Sequence, residues 1–335
     1  MRRYLLLVFI VWLAACSAPA TPVPATATIV FPTATIVTPT LLPTQTLQPY
    51  EEYTIDYLRQ RIYGGGNIEV LEKLSETDLF TGYSIRYPSD GLNIYGFVNV
   101  PKGTGPFPMI VSVHGYAVPG GYDPFNIESD YADFFAANRF IVVHPGLRNQ
   151  PPSDNGDNLL RVGMSVDVLN LIALLRENAN LPVELRNSDP ENLGLWGNSL
   201  GGEIALRILT VSPDVKATVL YSPLSGNEEQ NSQQLYAVLQ DEQFQLDSQV
   251  PVELLDRISS MNYYYKITSA IQLNHGTADT TAPMSWAAET CDFLAAAGVS
   301  VQCIYYQDAD HVFQGEDSEK LLQSALGFYQ THLAP

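Results

Sequence analysis

Gly197-Asn198-Ser199-Leu200-Gly201 sets a serine between two glycines, the pattern of a nucleophile carried on a sharp turn between a strand and a helix. The flanks supply both elements: Leu193-Gly194-Leu195-Trp196 is a short apolar strand, and Gly201-Gly202-Glu203-Ile204-Ala205 opens a helical run. The turn lifts the Ser199 hydroxyl to a helix N-terminus, where backbone N–H groups favour negative charge. A serine hydroxyl is a poor nucleophile at neutral pH and needs a base.

Five histidines could supply that base. His114 and His144 precede the serine, against the Ser–Asp–His chain order that accompanies such a turn. His275 belongs to a strand end, and His332 stands three residues from the C-terminus on a terminal helix. His311 remains, in Asp308-Ala309-Asp310-His311-Val312-Phe313, the loop after the last strand. The acid must lie between Ser199 and His311 and follow a strand. Asp279, in His275-Gly276-Thr277-Ala278-Asp279, does so, and its expected role is to fix the imidazole tautomer and stabilise the imidazolium. Asp308 and Asp310 are rivals, but sit so close to His311 that they are expected to shape its loop. Two N–H donors must converge on the developing oxyanion. Leu200, after the nucleophile, is one; Tyr116, in His114-Gly115-Tyr116 after the strand at 110–113, is the other expected donor, with His114 bracing that loop.

These residues need a scaffold, and the rest of the chain encodes one. Residues 82–87 and 92–100 alternate as strands around Ser89-Asp90-Gly91, a hairpin signal. Short apolar strands follow at 108–113, 140–143, 192–196, 217–221, 270–273 and 299–306. Between and after them lie helical patterns at 131–138, 165–178, 200–211, 285–297 and 318–332. That alternation predicts an α/β architecture: a mostly parallel central sheet with an antiparallel N-terminal hairpin and helices on both faces. Residues 223–267, rich in Gln, Asn and Glu, interrupt it and are expected to form a small cap above the carboxyl ends of the strands. Residues 50–335 read as one catalytic domain.

At this point the sequence resembles the α/β-hydrolase superfamily, and within it the catalytic domain of the prolyl oligopeptidase family, including dipeptidyl aminopeptidase and acylaminoacyl peptidase relatives. The resemblance rests on Ser89-Asp90-Gly91-Leu92, His114-Gly115-Tyr116, Gly197-Asn198-Ser199-Leu200-Gly201-Gly202, His275-Gly276-Thr277-Ala278-Asp279 and Asp310-His311, in family order. It implies the α/β-hydrolase fold and triad roles for Ser199, Asp279 and His311. The sequence departs from the family in two ways. Larger members carry an N-terminal β-propeller, for which about thirty residues ahead of the hairpin leave no room. The loop that often reads Asp-x-Arg-Gly is here Gly146-Leu147-Arg148-Asn149, which keeps only the arginine. Arg148 is a candidate ligand for a substrate carboxylate or a brace for its own loop. Tyr263-Tyr264-Tyr265 reads either as pocket wall beneath the cap, with Tyr265 the candidate substrate contact, or as aromatic core packing. The expected activity is a serine hydrolase, a serine-type peptidase or a carboxylesterase acting on a short peptide or small ester. The rival from another class is a surface-displayed binding protein that keeps the fold without activity.

Composition narrows the partners. With 17 Lys+Arg against 36 Asp+Glu, the 335-residue chain carries a formal charge of −19. With no basic stripe to offset it, that charge argues against nucleic-acid binding, and none is expected. Three cysteines without a Cys-x-x-Cys pair leave no disulfide scaffold and no zinc or redox site; no metal or cofactor is expected. Asp154-Asn155-Gly156-Asp157-Asn158 has oxygen ligands but not the EF-hand spacing, and reads as a polar turn. Nothing in the sequence specifies an oligomeric state.

The N-terminus reads as an export signal: Arg2 and Arg3, an apolar run from Leu5 to Leu13, then Ala14-Ala15-Cys16. Leu13-Ala14-Ala15-Cys16 resembles the lipobox of bacterial lipoproteins, which implies acylation of Cys16 after removal of residues 1–15. Residues 16–49, dominated by Thr, Pro, Ala and Val and without charge from 18 onward, cannot build a core and read as an extended tether. The expected location is the cell envelope, outside the cytoplasm, with the membrane reached through the lipid alone. Cys291 and Cys303 then remain as one pair, read as a disulfide of an oxidising compartment or as two buried free thiols.

Overall fold

The chain divides into two units, residues 1–46 and 47–335. The computed structural model describes residues 50–333 except 118–122, 124, 126–127, 178–179, 240–243, 245–246 and 248. Cys16 and the Thr/Pro-rich stretch lie outside the described residues.

A one-turn helix α1 (Ile55–Leu58) precedes β1 (Glu69–Glu76), β2 (Phe80–Ser89), β3 (Leu92–Pro101) and β4 (Phe107–Val113). Next come α2 (Ser129–Ala137), β5 (Ile141–Pro145), α3 (Val162–Arg176), β6 (Ser188–Asn198), α4 (Leu200–Val211) and β7 (Ala217–Tyr221). The insertion carries α5 (Glu228–Leu239), α6 (Val252–Ile258) and a 3-10 turn (Ser260–Lys266). The chain closes with β8 (Ala270–Gly276), α7 (Met284–Ala296), β9 (Val301–Tyr306) and α8 (Glu316–His332).

The strands form one sheet in the order β1-β2-β3-β5-β4-β6-β7-β8-β9. The pairs from β1 through β2 and β3 to β5 are antiparallel, and those from β5 onward are parallel. Asp90 and Gly91 both take positive φ, 49° and 85°, as a two-residue turn matched to strand twist requires. Consecutive side chains of a strand point to opposite faces. Leu195 therefore joins the core under α3, α4 and α7, and Trp196 the core under α2 and α8.

Strand β1 escaped the sequence reading. Its residues are exposed or half-exposed throughout, so no apolar face imposes the alternation by which strands are recognised. Its ladder to β2 slips register between Val70 and Lys73 and again between Lys73 and Ser75.

Candidate active site

Open α/β sheets place functional groups beyond the carboxyl ends of their parallel strands, and three side chains meet there. Ser199 follows β6, Asp279 lies three residues past β8, and His311 five past β9. His311 Nε2 is 2.9 Å from Ser199 Oγ, and its Nδ1 is 2.7 Å from Asp279 Oδ2. With the proton on Nδ1, the ring donates to the carboxylate and accepts from the serine hydroxyl. The other oxygen, Asp279 Oδ1, accepts from the amides of Thr281 and Ala282, each at 2.9 Å.

Backbone strain sets the serine. Ser199 stands at φ 52°, ψ −114°, a conformation that costs a non-glycine residue about 1–3 kcal/mol. Its surroundings hold it there. Its amide donates to Tyr221 O at 2.9 Å, and its carbonyl accepts from Gly202 and Leu224. At Gly201 a Cβ would come within 2.1 Å of Val113 O. Only glycine lets the start of α4 press against the end of β4, and that contact brings the 114–116 loop beside Ser199.

The histidine loop is fixed from both sides. Tyr306 O and Ala309 O accept from the amides of Thr277 and Ala278, and a Cβ at Gly276 would collide with Ala309 O at 2.3 Å. Asp310 Oδ1 accepts from the His311 amide at 2.7 Å, and Gln307 donates to Asp308. These two acids shape the loop, as their position suggested. Beneath it, Phe313 N–H donates to Tyr221 Oη at 2.6 Å.

A cavity of about 380 Å³ opens over Ser199 and His311, within the range of small-molecule sites. Tyr116, Tyr131, Leu200, Leu224, Leu235, Val238 and Val312 give it largely apolar walls, and Gly115, Glu128, Asn198 and Thr281 add polar ones. Leu224, Leu235 and Val238 belong to the 222–269 insertion, which thus forms part of the roof. A hollow of similar volume, about 370 Å³, lies against β8, β9 and α8, but it contains no nucleophile paired with a base.

The other histidines are accounted for. His114 is buried, its ring stacks at 5.5 Å on that of His144, and its Nδ1 lies 2.6 Å from Gly115 O. Burial lowers its pKa to about 4 and drives that of His144 down too, so both stay neutral. His275 donates from Nε2 to Ala282 O at 2.9 Å and is likewise held neutral by burial. His332 ends α8.

Neither residue offered as a substrate contact lines the cavity, and Arg148 takes its other expected role, a brace for its own loop. Arg148 is buried, and its guanidinium is consumed internally: Nη2 donates to Asp167 Oδ1 at 2.7 Å, Nε to Oδ2 at 3.1 Å and Nη1 to Asp157 O at 2.9 Å. Asp167 also accepts from Ser89 Oγ at 2.6 Å. Arg148 therefore ties the loop after β5 to α3 and the β2–β3 turn, away from the cavity. Tyr265 is 63% exposed and pairs with Lys266, whose Nζ is 5.0 Å from the ring centroid. Three consecutive residues of a 3-10 turn point to three different sides. Tyr264 goes into the core and Tyr263 reaches Asp56, leaving none of the three on the cavity wall.

Sequence reasoning also missed a buried ionic cluster that seats the insertion. Arg161, Glu203, Arg207, Glu228 and Asp247 are each about 1% exposed. Arg161 contacts Glu203 at 2.8 Å, Asp247 at 2.7 Å and also Glu228; Arg207 contacts Glu203 at 2.6 Å and Glu228 at 2.5 Å. Glu228 and Asp247 come from the insertion, Arg161 from the start of α3, and Glu203 and Arg207 from α4. Burial, reinforced by Glu203, lifts Glu228 to about 8. Only Glu203 and Arg207, four apart on α4, are linked by sequence spacing; no spacing joins them to Arg161, Glu228 and Asp247.

Cys291 on α7 and Cys303 on β9 form a disulfide, with Cα atoms 6.5 Å apart. No group of His, Cys, Asp and Glu among the described residues could hold a metal ion, and no described helix is long and apolar enough to cross a membrane.

Comparison with known proteins agrees with this geometry. Residues 179–335 match the prolyl oligopeptidase family. Among solved structures, acetyl xylan esterase 1 from Thermoanaerobacterium sp. JW/SL YS485 is similar, at 18% identity and a TM-score of 0.59, over 84% of this chain and 94% of that one. The acylaminoacyl peptidase of Pyrococcus horikoshii is similar at 20% identity and a TM-score of 0.62, over 77% of this chain and 42% of its own. A puromycin-hydrolyzing peptidase of Mycobacterium tuberculosis has 18% identity and a TM-score of 0.57, over 81% of this chain and 40% of that one. The chain thus spans less than half the length of these two peptidases. No curated protein matches the sequence. The shared fold is that of the α/β-hydrolases, here without a β-propeller among the described residues.

Proposed function

We infer that this chain, a serine hydrolase of peptidase or esterase type with a prolyl oligopeptidase family domain, acts on short peptides and small acyl esters with Ser199 as nucleophile, His311 as base and Asp279 as orienting acid. The observation that carries the reading is the continuous Asp279–His311–Ser199 hydrogen-bonded chain at the floor of the cavity. His311 Nε2 takes the hydroxyl proton as Ser199 Oγ attacks the carbonyl carbon. The N–H groups of Leu200 and Tyr116 receive the oxyanion. The imidazolium, steadied by Asp279, then protonates the leaving amine or alcohol. Water, deprotonated by the same imidazole, releases the acyl group and restores the serine.

The natural reading of the bond is a peptide, from the family match. A carboxylesterase is the second reading, favoured by the largely apolar walls around Leu235, Val238 and Val312, which suit an acyl chain. Aminoacyl p-nitroanilides compared with p-nitrophenyl acetate separate them: a higher kcat/KM on the anilides marks a peptidase. A fluorophosphonate probe is expected to label Ser199, with labelling and turnover lost in Ser199→Ala. Undiminished turnover in that variant refutes the reading, and a wild-type protein that neither labels nor turns over revives the binding-protein rival.

We also propose that the domain is exported and held at the envelope by lipid on Cys16, on the strength of Leu13-Ala14-Ala15-Cys16. Fatty-acid labelling should be lost in Cys16→Ser; labelling that persists rejects the anchor.

A further inference from the structure

Glu128 stands just before α2, at φ 54°, on the cavity wall beside Ser199. Its Oε1 accepts two hydrogen bonds from two different segments. One comes from the Gly115 amide at 3.0 Å, in the loop after β4. The other comes from Asn198 Nδ2 at 2.7 Å, in the turn that carries the nucleophile. The neighbours of these two donors along the chain, Tyr116 on one side and Ser199 and Leu200 on the other, supply the two oxyanion donors and the nucleophile of the reading above. One oxygen thus sets the spacing between the halves of the site.

We propose that Glu128 is a positioning residue for the oxyanion hole, its Oε1 clamping the 114–116 loop to the nucleophile turn so that the Tyr116 and Leu200 N–H groups converge on the same point. The proposal rests on the assignment of Ser199 as nucleophile. An oxyanion hole works because its donors are fixed before charge develops, so a clamp at its base acts on the transition state more than on substrate binding. The remaining oxygen, Oε2, is buried without a hydrogen-bond partner, and burial lifts the carboxyl to about 7 against the pull of its two donors. A proton there leaves Oε1 as acceptor. The clamp therefore needs the acceptor's placement and not its charge.

Glu128→Ala, Glu128→Gln and Asn198→Ala test this with p-nitrophenyl acetate turnover, each variant checked by thermal melting. Glu128→Ala is expected to lose about 10- to 100-fold in kcat, part of the 10²–10³ typical of deleting an oxyanion donor outright, with KM within about twofold. Glu128→Gln, whose amide oxygen can accept the same two bonds, should recover to within about threefold of wild type. Asn198→Ala, which frees one segment only, should fall between. A folded Glu128→Ala at wild-type kcat overturns the proposal, as does a Glu128→Gln as impaired as the alanine variant. If Glu128→Ala does not fold, wild-type kcat in Asn198→Ala overturns it equally. Fluorophosphonate labelling of the wild-type serine separates the two levels. A labelled wild type with an indifferent Glu128 fails this proposal alone, whereas an unlabelled one fails the nucleophile assignment and this inference with it.

Discussion

The hydroxyl of Tyr221, at the last residue of β7, accepts a hydrogen bond from the Phe313 amide at 2.6 Å, and the two rings pack edge-on at 4.8 Å. Phe313 lies two residues beyond His311, so a buried strand end anchors the loop that carries His311. Tyr221→Phe keeps the ring contact and removes the acceptor. A net hydrogen bond is worth about 0.5–1.5 kcal/mol, so kcat on a small ester should fall about two- to tenfold with the melting temperature little changed. Steady-state kinetics beside a melt check this, and an unchanged kcat would show that ring packing alone holds the loop.

Asp279→Asn should be far more damaging than its size suggests. The amides of Thr281 and Ala282 both donate to Oδ1, so an asparagine must keep its carbonyl oxygen there and turn its NH₂ toward His311. That imposes the wrong imidazole tautomer, with Nδ1 accepting and Nε2 protonated against Ser199. A loss of about 10⁴ in kcat is expected, the size seen for such a tautomer error, while circular dichroism stays native.

Stability should fall as pH rises through the neutral range, and Glu228 should account for part of the slope. Its folded-state value of about 8 lies above the ordinary carboxyl value of about 4.3. Between these limits the native state holds a proton that the unfolded chain has released. The stabilisation is therefore full at acid pH and is lost as pH passes through about 8. Glu128, lifted to about 7 by burial, adds to the slope with the same sign. Glu228→Gln should flatten the decline in melting temperature between pH 6 and 9 without abolishing it. An equally steep profile in that variant refutes the assignment.

The Cys291–Cys303 bond closes a short loop between α7 and β9. Replacing both with serine should cost about 3 kcal/mol and leave kcat at 25 °C within about twofold. Denaturant unfolding with parallel activity measurements tests both halves of this expectation.

That Ser199, Asp279 and His311 meet was legible because each follows a strand, chain order removes two histidines, and a glycine-flanked serine marks its own turn. Glu128 was not, since it sits outside any periodic element and touches residues 13 and 70 positions away. Arg148 shows the opposite limit. Its type suggested an anion ligand, but Asp167, nineteen residues on, already takes the guanidinium. Likewise the Tyr263-Tyr264-Tyr265 run gives composition without direction, and only the turn geometry decides which ring faces where. Strand β1 was invisible for want of a buried face.

That same strand has a consequence for the molecule among its neighbours. Glu69, Glu72, Lys73 and Glu76 stud this edge strand among two exposed leucines, Leu71 and Leu74, and its pairing with β2 slips register twice, the kind of irregularity that blunts an edge. A sheet that ended instead in smooth, uncharged backbone would invite copies to zip together side by side. Crowded molecules of this protein should therefore stay separate along that flank, with solubility guarded by residues that contribute little to the core.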